Sequence, residues 1–496
     1  MTAITIVLIG LFPAGIRLLK MVRAHAYVYG YSASGDTVAA DTSSLPSAQA
    51  VPILMYHGVI EHGPAGPNTS RENFIAQMEM LKRNGFQTIS VHEYDLFRQG
   101  KFILPAKPII LTFDDGRRDS FYTVDEVLKK LGFKATLFVA TIKAIIGDPF
   151  YLGWNELADV QATGRWEIQA HGRKSHESVV LDAQGHTGRF LVSRAFSATG
   201  GLESVEQYKQ RVDEDYRNGI ADLHEHLGIS AHYLAVPLNH YGVADVSNYE
   251  GAFDYNLELT RRYFSLAFVE ALSDSDQAFE SFYNYIDSDP YQLKRLEVKS
   301  MSAASLQSTL EHFAPKPPSL TMTPSDISKS FLQNTQLLYG RLETNSESGL
   351  AGITLKPSDG TNSGRMLFGD WGWSNYSIRA SIVRQRGRSV SVIAYYSDEE
   401  NYISLDWTDT SLRLVEVKGG TERELAWYGP WENRGEAEVV LRIQDGHVSA
   451  YFSGIPLARE IPIRLTRGAA GFGVWDPKVT AQSTVTQLEI RDIGNR

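Results

Sequence analysis

The 496-residue chain contains no cysteine. A disulfide framework is therefore excluded, and so is a thiolate zinc site; any metal must be held by His, Asp or Glu. Positive charge is not in excess either, since 48 Lys and Arg stand against 58 Asp and Glu, for a formal net charge of −10. Such a chain has no global basic field to attract nucleic acid, and polyanion partners are disfavoured. Long apolar runs are also missing. The run nearest the start, Ala3 to Ile16, is broken by Pro13 and falls short of the ~20 residues that a spanning helix needs. Its length suits the core of a secretory signal, so residues 1–26 are expected to act as a signal peptide or membrane anchor. Arg17, Lys20 and Arg23 follow the run instead of preceding it, which is the reverse of a well-formed signal. The expected location is extracytoplasmic: secreted, periplasmic or anchored at the outer face.

What is present is the material of a soluble globular protein, 43% hydrophobic and 21% charged, long enough for two or three domains. Residues 27–50 are rich in Gly, Ser, Ala, Thr and Asp and read as a flexible tether. From 51 to 314, short apolar runs alternate with amphipathic segments. Phe74, Met78 and Leu81 predict a helix over Arg71 to Asn84, Phe86 to Val91 a strand, His92 to Gly100 and Val124 to Leu131 helices, and Ala135 to Ala140 a strand. Strand, helix, strand in steady order implies a parallel sheet covered by helices. A Pro-rich stretch at 315–325 reads as a semi-rigid linker. Beyond it, at 326–496, alternating runs such as Tyr376 to Val383, Ser389 to Tyr396 and Ala437 to Ile443 are separated by Gly and Asp turns, which predicts an antiparallel sandwich.

The stretch that organises the first region is Pro108 to Gly116, Pro-Ile-Ile-Leu-Thr-Phe-Asp-Asp-Gly. A brief apolar run ending at Gly reads as a buried strand, and adjacent residues of extended chain point opposite ways. Asp114 and Asp115 could thus serve two tasks, one towards a metal and one towards a reacting water. Val51-Pro-Ile-Leu-Met-Tyr-His-Gly58 is a second such strand, with His57 at its end. A third, Trp166 to Ala170, delivers His171-Gly-Arg-Lys-Ser-His176. Five residues apart, these histidines share neither a helix face nor a strand face, so a common ligand requires a loop, which Gly172 allows.

Thr-Phe-Asp-Asp-Gly, then Phe133 to Val139, then the paired histidines, resembles the polysaccharide deacetylases of carbohydrate esterase family four. Most of that family carries His-x-x-x-His. The longer spacing here, together with Met55-Tyr56-His57, is similar to the circularly permuted deacetylases that act on poly-N-acetylglucosamine. The resemblance implies an α/β distorted (β/α) barrel. It also implies a metal-dependent N-deacetylase of an extracellular N-acetylhexosamine polysaccharide, with Asp114 as general base and His57 as general acid. Asp115, His171 and His176 would hold one divalent ion, Zn2+ or else Ni2+, Co2+ or Fe2+. Tyr233 to Gly242 resembles the family strand whose following backbone amide holds the oxyanion, here that of Leu238, where an aromatic residue is usual. Peptidoglycan, chitin and O-acetylated glycans are rival substrates, and a non-catalytic glycan-binding or matrix protein is the rival class. The second region, through Phe368 to Tyr376 and Gly471 to Trp475, resembles concanavalin-like and laminin-G-like jelly rolls. It would offer Trp371, Trp373, Trp427, Tyr428 and Trp431 to a sugar, because they lie in turn-rich segments.

Overall fold

The computed structural model describes residues 48–61, 66–239, 241, 247–271, 273–274, 277–278, 281–323, 335–344, 351–358, 360–430, 435–477 and 481–494. The segments expected to be signal and tether, up to residue 47, lie outside them, as do His240, Gly242 and Trp431. The chain divides into two compact units, Met1–Ala314 and Pro315–Arg496.

Seven strands close the first unit into a parallel barrel: β1 (Ala50–Tyr56), β2 (Pro108–Phe113), β3 (Ala135–Val139), β4 (Trp166–Ala170), β5 (Tyr233–Ala235), β6 (Leu266–Glu270) and β7 (Leu293–Glu297). Each pairs in parallel with the next in sequence, and β7 returns to β1, with Leu54 opposite Leu296 and Ile53 opposite Ile110 across β1 and β2. Strands buried on both faces read as unbroken apolar runs, and all six residues of β2 are buried.

The period of two sorts the side chains. Val51, Ile53, Ile110, Phe138, Tyr233, Leu266, Phe268 and Leu293 fill the barrel interior as one cluster. Their neighbours Leu54, Tyr56, Ile109, Leu111 and Phe113 pack outward in a second cluster, together with helical side chains such as Phe74, Met78 and Leu81. Those three belong to α1 (Arg71–Arg83), which starts where the Ser70 side chain accepts a hydrogen bond from Asn73 N. Helix α2 (Val205–Leu227) opens on a Ser204/Gln207 capping box and ends at left-handed Gly228.

One local expectation is corrected. The strand predicted from Phe86 to Val91 is reduced to Gln87–Thr88, because Ser90 caps a helix that begins at Val91. Between β4 and α2, Ser178–Val180 pairs with Thr187–Arg189, and Phe196–Ser197 with Gly201–Leu202.

The second unit is an antiparallel β-sandwich. One sheet runs Thr335–Tyr339, β8 (Ser363–Phe368), β13 (Ala469–Trp475), β9 (Ser389–Asp398), β10 (Asn401–Thr408), β11 (Leu412–Lys418) and β12 (Thr421–Tyr428). The other sheet has eight strands, with Tyr376–Arg386 and Gln482–Asp492 at its centre. Alternate residues of both, among them Val392, Leu405, Leu414, Ile378, Leu441 and Ile490, form one apolar core.

Candidate metal centre

The register that fills the barrel also equips its mouth. Continuing in steps of two from Val51 and Ile53 leads to His57, from Ile110 to Asp114, from Leu293 to Arg295 and Glu297, and from Phe268 to Glu270. The carboxyl ends of all seven strands therefore bring their chemistry to one rim, where barrels of this kind place their sites.

Asp115 lies beside the end of β2 with φ at 75°. This corrects the reason given for the two carboxylates diverging: Asp115 is left-handed and not extended, and both aspartates face one imidazole. His171 Nε2 is 3.7 Å from Asp114 Oδ2 and 3.7 Å from Asp115 Oδ1, and His176 Nε2 is 3.5 Å from the same Asp115 oxygen. Ligand atoms of Asp115, His171 and His176 all lie within 4.8 Å of one another.

These separations are too long for good hydrogen bonds. They suit a shared ion, because two ligands each ~2.1 Å from a tetrahedral metal are about 3.4 Å apart. The donor chemistry agrees. His171 Nδ1 lies 2.8 Å from the Ala235 carbonyl, a partner that accepts only, so the proton sits on Nδ1 and the lone pair on Nε2 faces the triad. Burial and the neighbouring His171 push the His176 pKa down to about 3, which keeps that imidazole neutral and able to ligate.

Gly172 makes the connecting loop. It has φ at 72°, and a Cβ there would lie 2.1 Å from Ser175 Oγ. Ser175 Oγ in turn donates to Asp215 of α2 at 2.5 Å, and the backbone N–H groups of Arg173 and Lys174 donate to the same carboxylate. Asp215 is a buried anchor for the loop that carries His176.

Asp114 is buried and held by Arg295 through two hydrogen bonds of 2.7 and 2.8 Å. Burial alone would raise its pKa, but the Arg295 guanidinium and then His171 outweigh this and hold the carboxyl well below the usual range. His57 stands next to it in the rim, its Nδ1 3.7 Å from Glu297 Oε1. Leu238 occupies a tight turn, Pro237–Asn239, with φ at 57°. The turn is tied to β6 where Glu270 N donates to Asn239 Oδ1 at 2.9 Å.

Residues 103–249 match the family model described as polysaccharide deacetylase. The chain carries a polysaccharide deacetylase domain. Curated proteins resemble it in sequence. YxkH of Bacillus subtilis (strain 168), named for this family, is 32% identical over 121 residues, 24% of this chain and 42% of that one. The poly-β-1,6-N-acetyl-D-glucosamine N-deacetylase of Escherichia coli (strain K12) is 25% identical over 186 residues, 34% of this chain and 27% of that one. The chain thus spans less than half the length of these relatives. A solved de-N-acetylase from Aggregatibacter actinomycetemcomitans has a TM-score of 0.45 at 18% identity, covering 53% of this chain and 100% of that one.

Three partners in the deacetylase domain escape a reading by motif: Arg295, Glu297 and Asp215. The first two lie in a segment that reads only as a closing strand. The signal was their parity, since a charged residue on the inward face of a barrel strand needs a partner at the rim. Asp215 sits on a helix whose charges read as a solvated face. Asp215→Ala is expected to leave the barrel folded and to weaken metal retention by roughly 10- to 100-fold, as loss of outer-shell support typically does. A metal-buffered competition titration measures this.

The aromatic candidates of the second unit fare unequally. Trp373 is a correction: it is buried at 4% exposure, and its Nε1 donates to the Lys316 carbonyl, so it has no face for a sugar. A turn-rich segment does not guarantee exposure when its indole folds back into the core. Trp427 and Tyr428 are exposed at 53% and 44%. Trp371 packs against Tyr396, with ring centroids 5.9 Å apart.

Proposed function

We propose that the barrel removes N-acetyl groups from an N-acetylhexosamine polysaccharide resembling poly-β-1,6-N-acetylglucosamine, outside the cytoplasm, with a divalent cation at Asp115, His171 and His176. The observation that carries this reading is the convergence of those three ligands beside an ionised Asp114 and a rim histidine backed by a carboxylate.

A Zn2+ held there, or Ni2+, Co2+ or Fe2+, would supply Lewis acidity to the acetamide carbonyl and acidify water. The remaining steps belong to side chains of this chain. Arg295 fixes Asp114 in the charged form, with both carboxylate oxygens orientated, so Asp114 accepts a proton from the attacking water. His57, with Glu297 Oε1 3.7 Å from its Nδ1, delivers a proton from Nε2 to the departing amine nitrogen. The left-handed turn at Leu238 offers a main-chain N–H to the developing oxyanion, a role that replacing the usual aromatic side chain leaves intact.

The discriminating measurement is acetate release from soluble β-1,6-linked N-acetylglucosamine oligomers, set against chitin oligomers, peptidoglycan fragments and an O-acetylated glycan. Metal content is determined on the same preparation. The expected result is release that is fastest on the β-1,6 oligomers, stops on chelation and returns with the divalent ion. Sugar binding without metal or turnover would instead favour a non-catalytic glycan-binding protein.

A further inference from the structure

The seven-stranded sheet of the sandwich has a second face, turned away from its apolar core. Period-two alternation again decides what it carries. Val390, Val392, Ile403, Leu405, Trp407, Leu412, Leu414, Phe472 and Val474 point into the core. The intervening positions on β8 to β13 enclose a trough of about 280 Å3. Its floor includes small polar side chains, Ser389, Ser391 and Ser404, and larger groups wall it: Arg365 and Tyr402, Trp475 with Arg388, and Arg413 with Glu422. A solvent-facing sheet surface ordinarily carries long side chains throughout. Small residues in the middle strands with tall ones around them produce a binding-shaped depression.

The charges in the trough decide what fits it. Three guanidiniums, Arg365, Arg388 and Arg413, stand among the carboxylates Asp406 and Glu422. Arg413 is paired with Glu422 and Glu424, and Arg365 with Glu399. The two signs are interspersed, three guanidiniums against two carboxylates, so neither a polyanion nor a bare cation meets a field of one opposite sign. A neutral polyol suits both, because each hydroxyl donates once and accepts twice.

Donors and acceptors remain for it. Asp406 accepts from Ser391 Oγ at 2.7 Å and also from the Ser404 hydroxyl, and the two oxygens of a carboxylate can accept more. Arg365, paired with Glu399, is packed among the rings of Tyr339, Tyr396 and Tyr402, which fixes its place in the wall. At the other wall Trp475, 38% exposed, offers an apolar face of the kind that packs on a sugar ring.

We propose that this trough binds one hexose residue of a polysaccharide, with ring hydroxyls on Asp406 and the flanking arginines and the ring against Trp475. Trp427, paired across β11 and β12 with Arg413, lies at the edge of the same sheet face, and the site is independent of the barrel chemistry.

The test uses the full chain carrying Asp115→Ala, so that the sugar is not consumed. It is titrated calorimetrically with a β-1,6-linked N-acetylglucosamine pentamer, its de-N-acetylated counterpart and a neutral β-glucan pentamer. Binding to at least one is expected, weakened about tenfold or more, some 1.4 kcal/mol, by Trp475→Ala and by the near-isosteric Asp406→Asn. Unchanged melting of both trough variants checks their fold. Acetate release from a short oligomer, measured with Asp115 intact, is expected to be the same with and without the trough substitutions. An absence of acetate release would sink the barrel reading while leaving the titration legible. The proposal is overturned if none of the three pentamers binds, or if binding ignores both trough variants.

Discussion

His176→Ala and Asp115→Ala are each expected to lower acetate release by roughly a thousandfold or more and to yield protein without stoichiometric metal. Loss of outer-shell support typically costs 10- to 100-fold, and loss of a ligand from a set of three costs more. Folding is expected to survive, because neither side chain belongs to the apolar clusters and both lie partly exposed at the rim. Among the described residues His176 Nδ1 has no hydrogen-bond partner, and its Nε2 is 3.5 Å from Asp115, so truncation breaks no strong bond among them. Elemental analysis, circular dichroism and acetate release on the same samples decide the matter. Full activity in either variant would remove the metal triad from the mechanism.

The order of elements in the first unit is legible because parallel strands announce themselves as short apolar runs, with Asp114, Asp115, His57 and His171 directly at their ends and His176 on the loop after β4. What the runs do not reveal is which residue of one strand meets which residue of another. Arg295 is 181 positions from Asp114, and only barrel closure through β7 and β1 brings them together. The backbone of Asp115 departs from extended geometry for a related reason: the strand ends at Phe113, and at Asp115 the chain already turns through positive φ. In the sandwich, alternation identified the strands but not the outer face. Attention went to large aromatics in turns, one of which, Trp373, is core. The trough instead depends on small serines in mid-strand, which look like ordinary solvent-facing positions until the sheet is assembled.

Arg295→Met is expected to produce the largest stability loss of any single change at the rim, roughly 3–5 kcal/mol, because it leaves the Asp114 carboxylate buried without its cation. Arg295 is itself 1% exposed and lies 5.5 Å above the Phe138 ring, so solvent cannot take over its role. The same pairing makes a prediction about acid. Asp114 has a folded-state pKa depressed below its unfolded value, so its stabilising contribution is complete above the ordinary carboxylate pKa of about 3.9. As pH falls below that point, the unfolded chain takes up the proton first, and the contribution drains away towards the depressed folded value. The natural protein should therefore lose melting temperature steeply below about pH 4. In Arg295→Met, desolvation acts on Asp114 with less opposition, its pKa rises, and the acid limb of acetate release moves to higher pH. Arg295→Lys, which restores the charge but not the two-pronged contact, is expected to fall between the two in both melting temperature and acid limb. If the melts and the acid limbs of all three proteins coincide, Arg295 does not govern the ionisation of Asp114, and the source of a charged base at the barrel mouth must be sought in the cation and His171 alone.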